Sequence, residues 1–115
     1  MSEPVRELFG LEQRHLEIVK SLLHEHVPNR PVWAFGSRTF GRARRYSDLD
    51  LAIGGSAPLE TGIRLDLMDA FDRSMLPIEV DVVDLNDVDG SFRKRIEPDF
   101  VELQPVVKEQ GQFRQ

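Results

Sequence analysis

Three aspartates stand where carboxylates are least expected, inside short apolar segments that read as β-strands. Asp48 and Asp50 flank Leu49 in Ser47-Asp48-Leu49-Asp50-Leu51-Ala52-Ile53, and Asp81 lies between Val80 and Val82 in Ile78-Glu79-Val80-Asp81-Val82-Val83. Side chains at i and i+2 of a strand project from one face, so Asp48 and Asp50 stand side by side while Leu49, Leu51 and Ile53 face a core. Strand propensity and burial both disfavour a carboxylate in such a place. Three of them on neighbouring strands would raise one another's pKa values unless cations neutralised them. Hard divalent cations with oxygen ligands do this, and Mg²⁺ in particular combines a few carboxylates with substrate phosphates.

Gly36-Ser37 follows directly on the apolar run Val32-Trp33-Ala34-Phe35. A glycine after a strand lets the backbone approach a ligand closely, and a helix start beyond it points free N–H groups outward. That arrangement receives phosphate, and the Ser37 hydroxyl can add a donor. A phosphate cradle beside a three-carboxylate metal site equips a protein for in-line phosphoryl or nucleotidyl transfer. In that chemistry one metal orients the phosphates and the leaving pyrophosphate, and a second activates the attacking hydroxyl.

The elements that must position these groups follow from periodicity. Leu11, Ile18, Val19, Leu22 and Leu23 recur at near-helical spacing over residues 11–26, with Pro28 as the stop. Residues 32–35 read as a buried strand and residues 47–53 as a strand with one buried face. Leu59, Ile63, Leu67 and Phe71 mark a second helix closed by Pro77, and residues 78–83 a third strand. Between Asn86 and Asp89 lie several N-cap candidates for a short helix carrying Phe92 and Ile96 and stopped by Pro98. Residues 100–103 read as a short fourth strand, and the tail from Lys108 as polar and frayed. The expectation is one α/β (α+β) domain over residues 1–115, a mixed sheet of three to four strands flanked by helices.

Composition narrows the function. With 115 residues, 40% hydrophobic and 30% charged, the chain is an ordinary globular domain, long enough for a modest core and too short to enclose a large substrate alone. The absence of cysteine removes disulfides, thiolate metal sites and cysteine nucleophiles. Twenty acidic against fifteen basic side chains leave a net charge of −5, which disfavours nucleic acid as a partner. No apolar run approaches the ~20 residues of a membrane span, and no signal-peptide pattern opens the chain, so a cytoplasmic location is expected.

Gly36-Ser37, ten intervening residues and then Asp48-Leu49-Asp50 resembles the signature of the polymerase-β-type nucleotidyltransferase superfamily. The run Gly36-Ser37-Arg38-Thr39-Phe40-Gly41 through Ser47-Asp48-Leu49-Asp50-Leu51, in so short a chain, is similar to its minimal nucleotidyltransferases, the MNT proteins. Asp81 matches the third aspartate that the family carries on a later strand. The resemblance implies the small nucleotidyltransferase fold, ATP as co-substrate, Mg²⁺ (two ions), and transfer of a nucleoside monophosphate, AMP, to a hydroxyl. It also implies an antitoxin that pairs with a HEPN-domain ribonuclease toxin and adenylylates it. Carried over, Asp48 and Asp50 would be metal ligands, Asp81 a ligand or the base for the acceptor hydroxyl, and Gly36 and Ser37 the triphosphate holders. Larger members complete the pocket with a second domain; here a partner, or self-association, would have to do so. Two other roles compete: a non-catalytic antitoxin that neutralises its partner by binding, and transfer to a small molecule of the aminoglycoside type.

Other polar residues have plainer readings. Asp84, of opposite parity to Asp81, is expected as a turn or cap residue. Asp66, Asp69 and Asp72 read as a solvated helix face. His24 and His26 suit a helix C-terminus and do not share a face as ligands would. Trp33 and Phe35 read as core. Arg38, Arg42, Arg44 and Arg45 form either a solvated loop or a contact to phosphate or partner.

Overall fold

A computed structural model describes residues 11–36 and 48–106; Ser37, the four loop arginines and the tail from Lys108 lie outside them. Helix α1 (Gln13–His26) buries Leu16, Val19 and Leu23, one stripe of a helix, and carries His24 and His26 in its last turn. After it come β1 (Val32–Phe35), β2 (Leu49–Ile53), α2 (Thr61–Arg73), β3 (Val80–Asp84), α3 (Gly90–Ile96), a 3₁₀ turn at Glu97–Asp99 and β4 (Val101–Gln104). The strands lie in the order β3-β2-β1-β4. Only β2 and β3 run parallel, with α2 as the crossover a parallel pair needs; β1 is antiparallel to both β2 and β4. The expected mixed α/β architecture is therefore present.

Alternation sorts the strand residues onto two faces. Val32, Ala34, Leu49, Leu51, Ile53 and Val82 join Leu16, Val19 and Leu23 of α1 and Leu67 and Phe71 of α2 in the main core. Of the other face, part is also covered. Phe35, Ala52, Leu85 and Ile96 form a second core, packed by Trp33, Val83, Val88, Phe92 and Phe100. This differs from the single buried face that alternation suggested for residues 47–53. Ala52, on the aspartates' side, is fully buried because α3 and the 3₁₀ turn close over that half of the sheet. Trp33 stacks on Phe100 there, with ring centroids 5.1 Å apart. Asp89, within the anticipated capping window, accepts a hydrogen bond from the Phe92 N–H at 2.9 Å and starts α3.

The expected cap at Asp84 is present, in a more deeply buried form than a turn requires. Its carboxylate is 3% exposed and accepts from the Asn86 N–H at 2.9 Å and, across the chain, from the Leu59 N–H at 2.8 Å. Asn86 in turn donates its side-chain amide to the carbonyls of Gly55 and Ala57. Arg30 donates to the carbonyls of Gly54, Ala57 and Pro58 at 3.0, 2.7 and 3.2 Å. These three side chains pin the loop between β2 and α2 and so fix the start of α2 against the far ends of β2 and β3. Asp84→Ala strands one buried and one part-buried donor and is expected to lower the unfolding free energy by about 1.5–3 kcal/mol. Urea denaturation checks this, and Asp84→Asn, which keeps one acceptor oxygen, should cost less.

Candidate active site

The end of the sheet where β1 finishes and β2 and β3 begin carries the aspartates. Pairing places Phe35 opposite Asp50, and Asp50 opposite Asp81, so one row of the sheet reads Phe35, Asp50, Asp81 on the face of the second core. The next row, Trp33, Ala52 and Val83, is roofed by the aromatic cluster. Among the described residues the carboxylates thus occupy the part of this face that the roof leaves open. Asp50 is half-buried, whereas Asp81, on the edge strand, and Asp48, just before β2, are exposed.

Asp50 bears the electrostatic burden. Burial first, then the charge of Asp81, then that of Asp48, and finally a hydrogen bond with the Asp81 side chain raise its pKa from the ordinary 3.8 to about 6. Phe35 lies in register beside it on the β1 side, its ring in edge contact with Phe92 at 6.4 Å. The sequence assigns Phe35 to the core alone. Its parity within Val32-Trp33-Ala34-Phe35 is the signal that could have put it on the aspartate face, once β1 is known to pair with β2. The structure brings Asp50 and Asp81 together directly and keeps Asp48 within electrostatic reach. Among the described residues no group of three His, Asp or Glu side chains is already drawn together as a metal shell.

Gly36 turns the chain away at this end with φ of +87°, a conformation that favours glycine. The close approach expected of it is made to Asp50: a Cβ on Gly36 would overlap Asp50 Oδ2 and lie 3.4 Å from its Cγ. Ser37, the other half of the expected cradle, lies outside the described residues. An anionic, oxygen-only donor set, partly dehydrated and open to solvent on one side, can bind hard cations, hold a proton, or accept one from an incoming hydroxyl.

Comparison with known proteins gives a consistent picture. The family model described as "Polymerase beta, Nucleotidyltransferase" matches residues 17–102, a span that contains Gly36, Asp48, Asp50 and Asp81. A Haemophilus influenzae protein named "Probable protein adenylyltransferase MntA" is 44% identical over 98 residues, 85% of this chain and 86% of that one. A crystal structure of a toxin–antitoxin with AMP-PNP superposes with a TM-score of 0.66 at 25% identity, covering 78% of this chain and 73% of that one. The structure of a tri-AMPylated Shewanella oneidensis HEPN toxin in complex with MNT antitoxin matches with a TM-score of 0.61 at 21% identity, over 81% of this chain and 71% of that one. This last likeness is one of fold. Among the described residues no helix is long and apolar enough to cross a membrane.

Two outcomes follow from the geometry. Because the folded pKa of Asp50 is raised, its contribution to stability is fully present below pH 3.8 and is lost as pH rises through about 6. In metal-free buffer at pH 7–8, Asp50→Asn is therefore expected to be more stable than the wild type, by an amount on the order of 1 kcal/mol after solvent screening. That difference should vanish near pH 4, as thermal melts across the range would show. Gly36→Ala should instead destabilise by roughly 1–3 kcal/mol, from the left-handed backbone and the collision with Asp50, measurable in the same melts.

Proposed function

The chain belongs to the polymerase beta nucleotidyltransferase family, and on that premise we propose that it is a protein adenylyltransferase, moving AMP from ATP to a hydroxyl of a HEPN-domain partner whose antitoxin it is. The observation that carries the reading is the register match of Asp50 and Asp81, with Asp48 beside them, at the strand end where Gly36 turns. The name of the Haemophilus influenzae relative and the AMP-PNP bound to a structural neighbour support the adenylyl donor. The HEPN toxin held by another neighbour supports the partner. We take residues 1–115 as one such domain and the cytoplasm as its place of work.

The donor set fits Mg²⁺. Asp50 and Asp81 lie opposite each other on adjacent strands with Asp48 nearby, a crowding of carboxylates that a divalent cation held by them would relieve. Asp48, Asp50 and Asp81 would hold a pair of ions, which when bound supply Lewis-acid stabilisation of the charge developing on the phosphates. Gly36 and Ser37 hold the triphosphate. Asp81, exposed on the edge strand, accepts the proton of the acceptor hydroxyl. The freed oxygen forms a bond to the α-phosphorus, and the bond from that phosphorus to the bridging oxygen breaks. Pyrophosphate leaves with the electron pair.

Replacing Asp48, Asp50 or Asp81 by Asn is expected to lower transfer by at least about 10²–10³-fold, since each weakens the hold on the cations that would neutralise the reacting phosphates. The measurement is incorporation of α-³²P from ATP into the HEPN protein in the presence of Mg²⁺. Wild-type rates in the Asn variants would refute the assignment. Neutralisation of the partner by variants that no longer label it would favour the binding antitoxin instead.

A further inference from the structure

The displacement has two ends, and Asp81 on the edge strand accounts for one of them. In an in-line transfer the attacking and leaving oxygens stand on opposite sides of the reacting phosphorus. With the acceptor hydroxyl on the β3 side, the pyrophosphate leaves toward β1, where Phe35 and the Gly36 turn lie. It gains negative charge as the bond breaks, and the charges of the nearby aspartates oppose that gain. A fixed cation on the β1 side would balance it.

Among the described residues, most arginines are already engaged. Arg14 pairs with Glu12 at 2.9 Å, Arg73 with Asp69 at 3.0 Å and Arg93 with Glu97 at 2.7 Å. Arg30 donates to the loop carbonyls and Arg64 to the Val82 carbonyl at 3.1 Å. Arg95 differs from all of these: it is exposed, enters no ion pair or hydrogen bond among the described residues, and lies on an aromatic ring. Asp89, within electrostatic range of it, already accepts from the Ser91 hydroxyl at 2.8 Å and the Phe92 N–H at 2.9 Å.

The place of Arg95 is what gives it a role. Its guanidinium carbon is 5.3 Å from the centroid of the Phe92 ring, and that ring meets Phe35, in the row of Asp50, at 6.4 Å. At 3.6 residues per turn, Phe92 lies between Ile96 and Arg95 around α3, and Arg93 lies beyond Ile96. Ile96 is buried in the second core, while Phe92 is half-buried and reaches the Phe35 ring. Arg95 therefore stands on the flank of α3 to which Phe92 leans, at the Phe35 end of the roof. Stacking on the ring restrains the side chain and leaves its N–H fork open, which suits bidentate binding of a phosphate.

Resting on the transfer reading above, we propose that Arg95 binds the β- and γ-phosphates of the nucleotide and stabilises the pyrophosphate as it leaves. The guanidinium donates hydrogen bonds and keeps its protons. The electron pair of the breaking bond goes to the pyrophosphate oxygen, as already described. Gly36 and Ser37 hold the phosphate tail from the strand side and Arg95 holds it from the roof. An acidic segment of the partner would be the other anion for Arg95 to meet, but the acceptor reaches the row from the opposite side, at Asp81.

The test titrates AMP-PNP, pyrophosphate and AMP by calorimetry, with Mg²⁺ present, into the full-length wild type and the variants Arg95→Ala, Arg95→Lys and Lys94→Ala. Lys94 is exposed and lies on the side of α3 away from Phe92, so it controls for the general field of a basic helix. In Arg95→Ala the Kd values for AMP-PNP and pyrophosphate should rise about tenfold, and in Arg95→Lys about threefold. The Kd for AMP in every variant, and all values for Lys94→Ala, should change by less than about twofold. With the host's HEPN-domain protein and α-labelled ATP, kcat for Arg95→Ala should fall about tenfold while the KM for the HEPN protein holds. If Arg95→Ala melts early, Arg95→Lys carries the test. Unchanged binding of AMP-PNP and pyrophosphate in the Arg95 variants overturns the proposal. Equal weakening of AMP would assign Arg95 to the adenosine end, and equal weakening in Lys94→Ala would reduce it to bulk charge; either refutes it. So does a raised KM for the HEPN protein with nucleotide binding intact. The titrations need no transfer, so a wild type that binds AMP-PNP and labels nothing sinks the transfer reading and leaves Arg95 to be judged on binding. A wild type that binds no nucleotide sinks both.

Discussion

Two carboxylates held opposite each other on adjacent parallel strands are an unfavourable arrangement, and the rest of this structure can be understood as what keeps them there. The charge of Asp81 opposes that of Asp50, and the two could be separated by slipping β3 one residue along β2. Such a slip would turn Val80 and Val82 from the main core to the opposite face and bring Asp81 and Val83 in behind α2. The register is therefore held by apolar burial, with Leu49, Leu51 and Ile53 of β2 completely buried. It is held again at the opposite strand ends, where Asp84 reaches the start of α2 and Arg30 and Asn86 fasten the intervening loop. Charge crowding at one end of the sheet is sustained by packing along its length and polar pinning at the other.

The local part of this design is readable from residue order alone. Parity places Asp48 and Asp50 on one side of a strand whatever the strand pairs with, and the same reasoning gives Asp81 and excludes Asp84. The stops at Pro28, Pro77 and Pro98 and the cap before Phe92 are equally local, and the observed elements differ from the expected ones by a residue or two at their ends. Long-range pairing is not legible in this way. Nothing in Val32-Trp33-Ala34-Phe35 says that Phe35 will face Asp50, because that depends on β1 lying between β2 and β4. Ala52 was expected on the open face and is fully buried because a helix forty residues onward folds over it. Arg30 and Asn86 look like ordinary loop residues until a loop more than twenty residues away passes beneath them. A carboxylate against an apolar pattern is conspicuous; a polar side chain satisfied by distant carbonyls is not.

The position of the aspartates also bears on the kind of acceptor the site can serve. Among the described residues this face is roofed only from the Trp33 row inward, and Asp81 stands on an edge strand. A small molecule approaching there would meet few walls, and most of its surface would remain in water, which limits the binding energy a pocket can supply. A macromolecular acceptor has no such difficulty, since it brings contact area that lies away from the reacting hydroxyl and can be used to orient it. A catalytic corner that is half open among the described residues and an acceptor that brings its own contact area are, on this argument, two aspects of one specialisation: the domain supplies the electrostatics of transfer, and its partner orients the hydroxyl it presents.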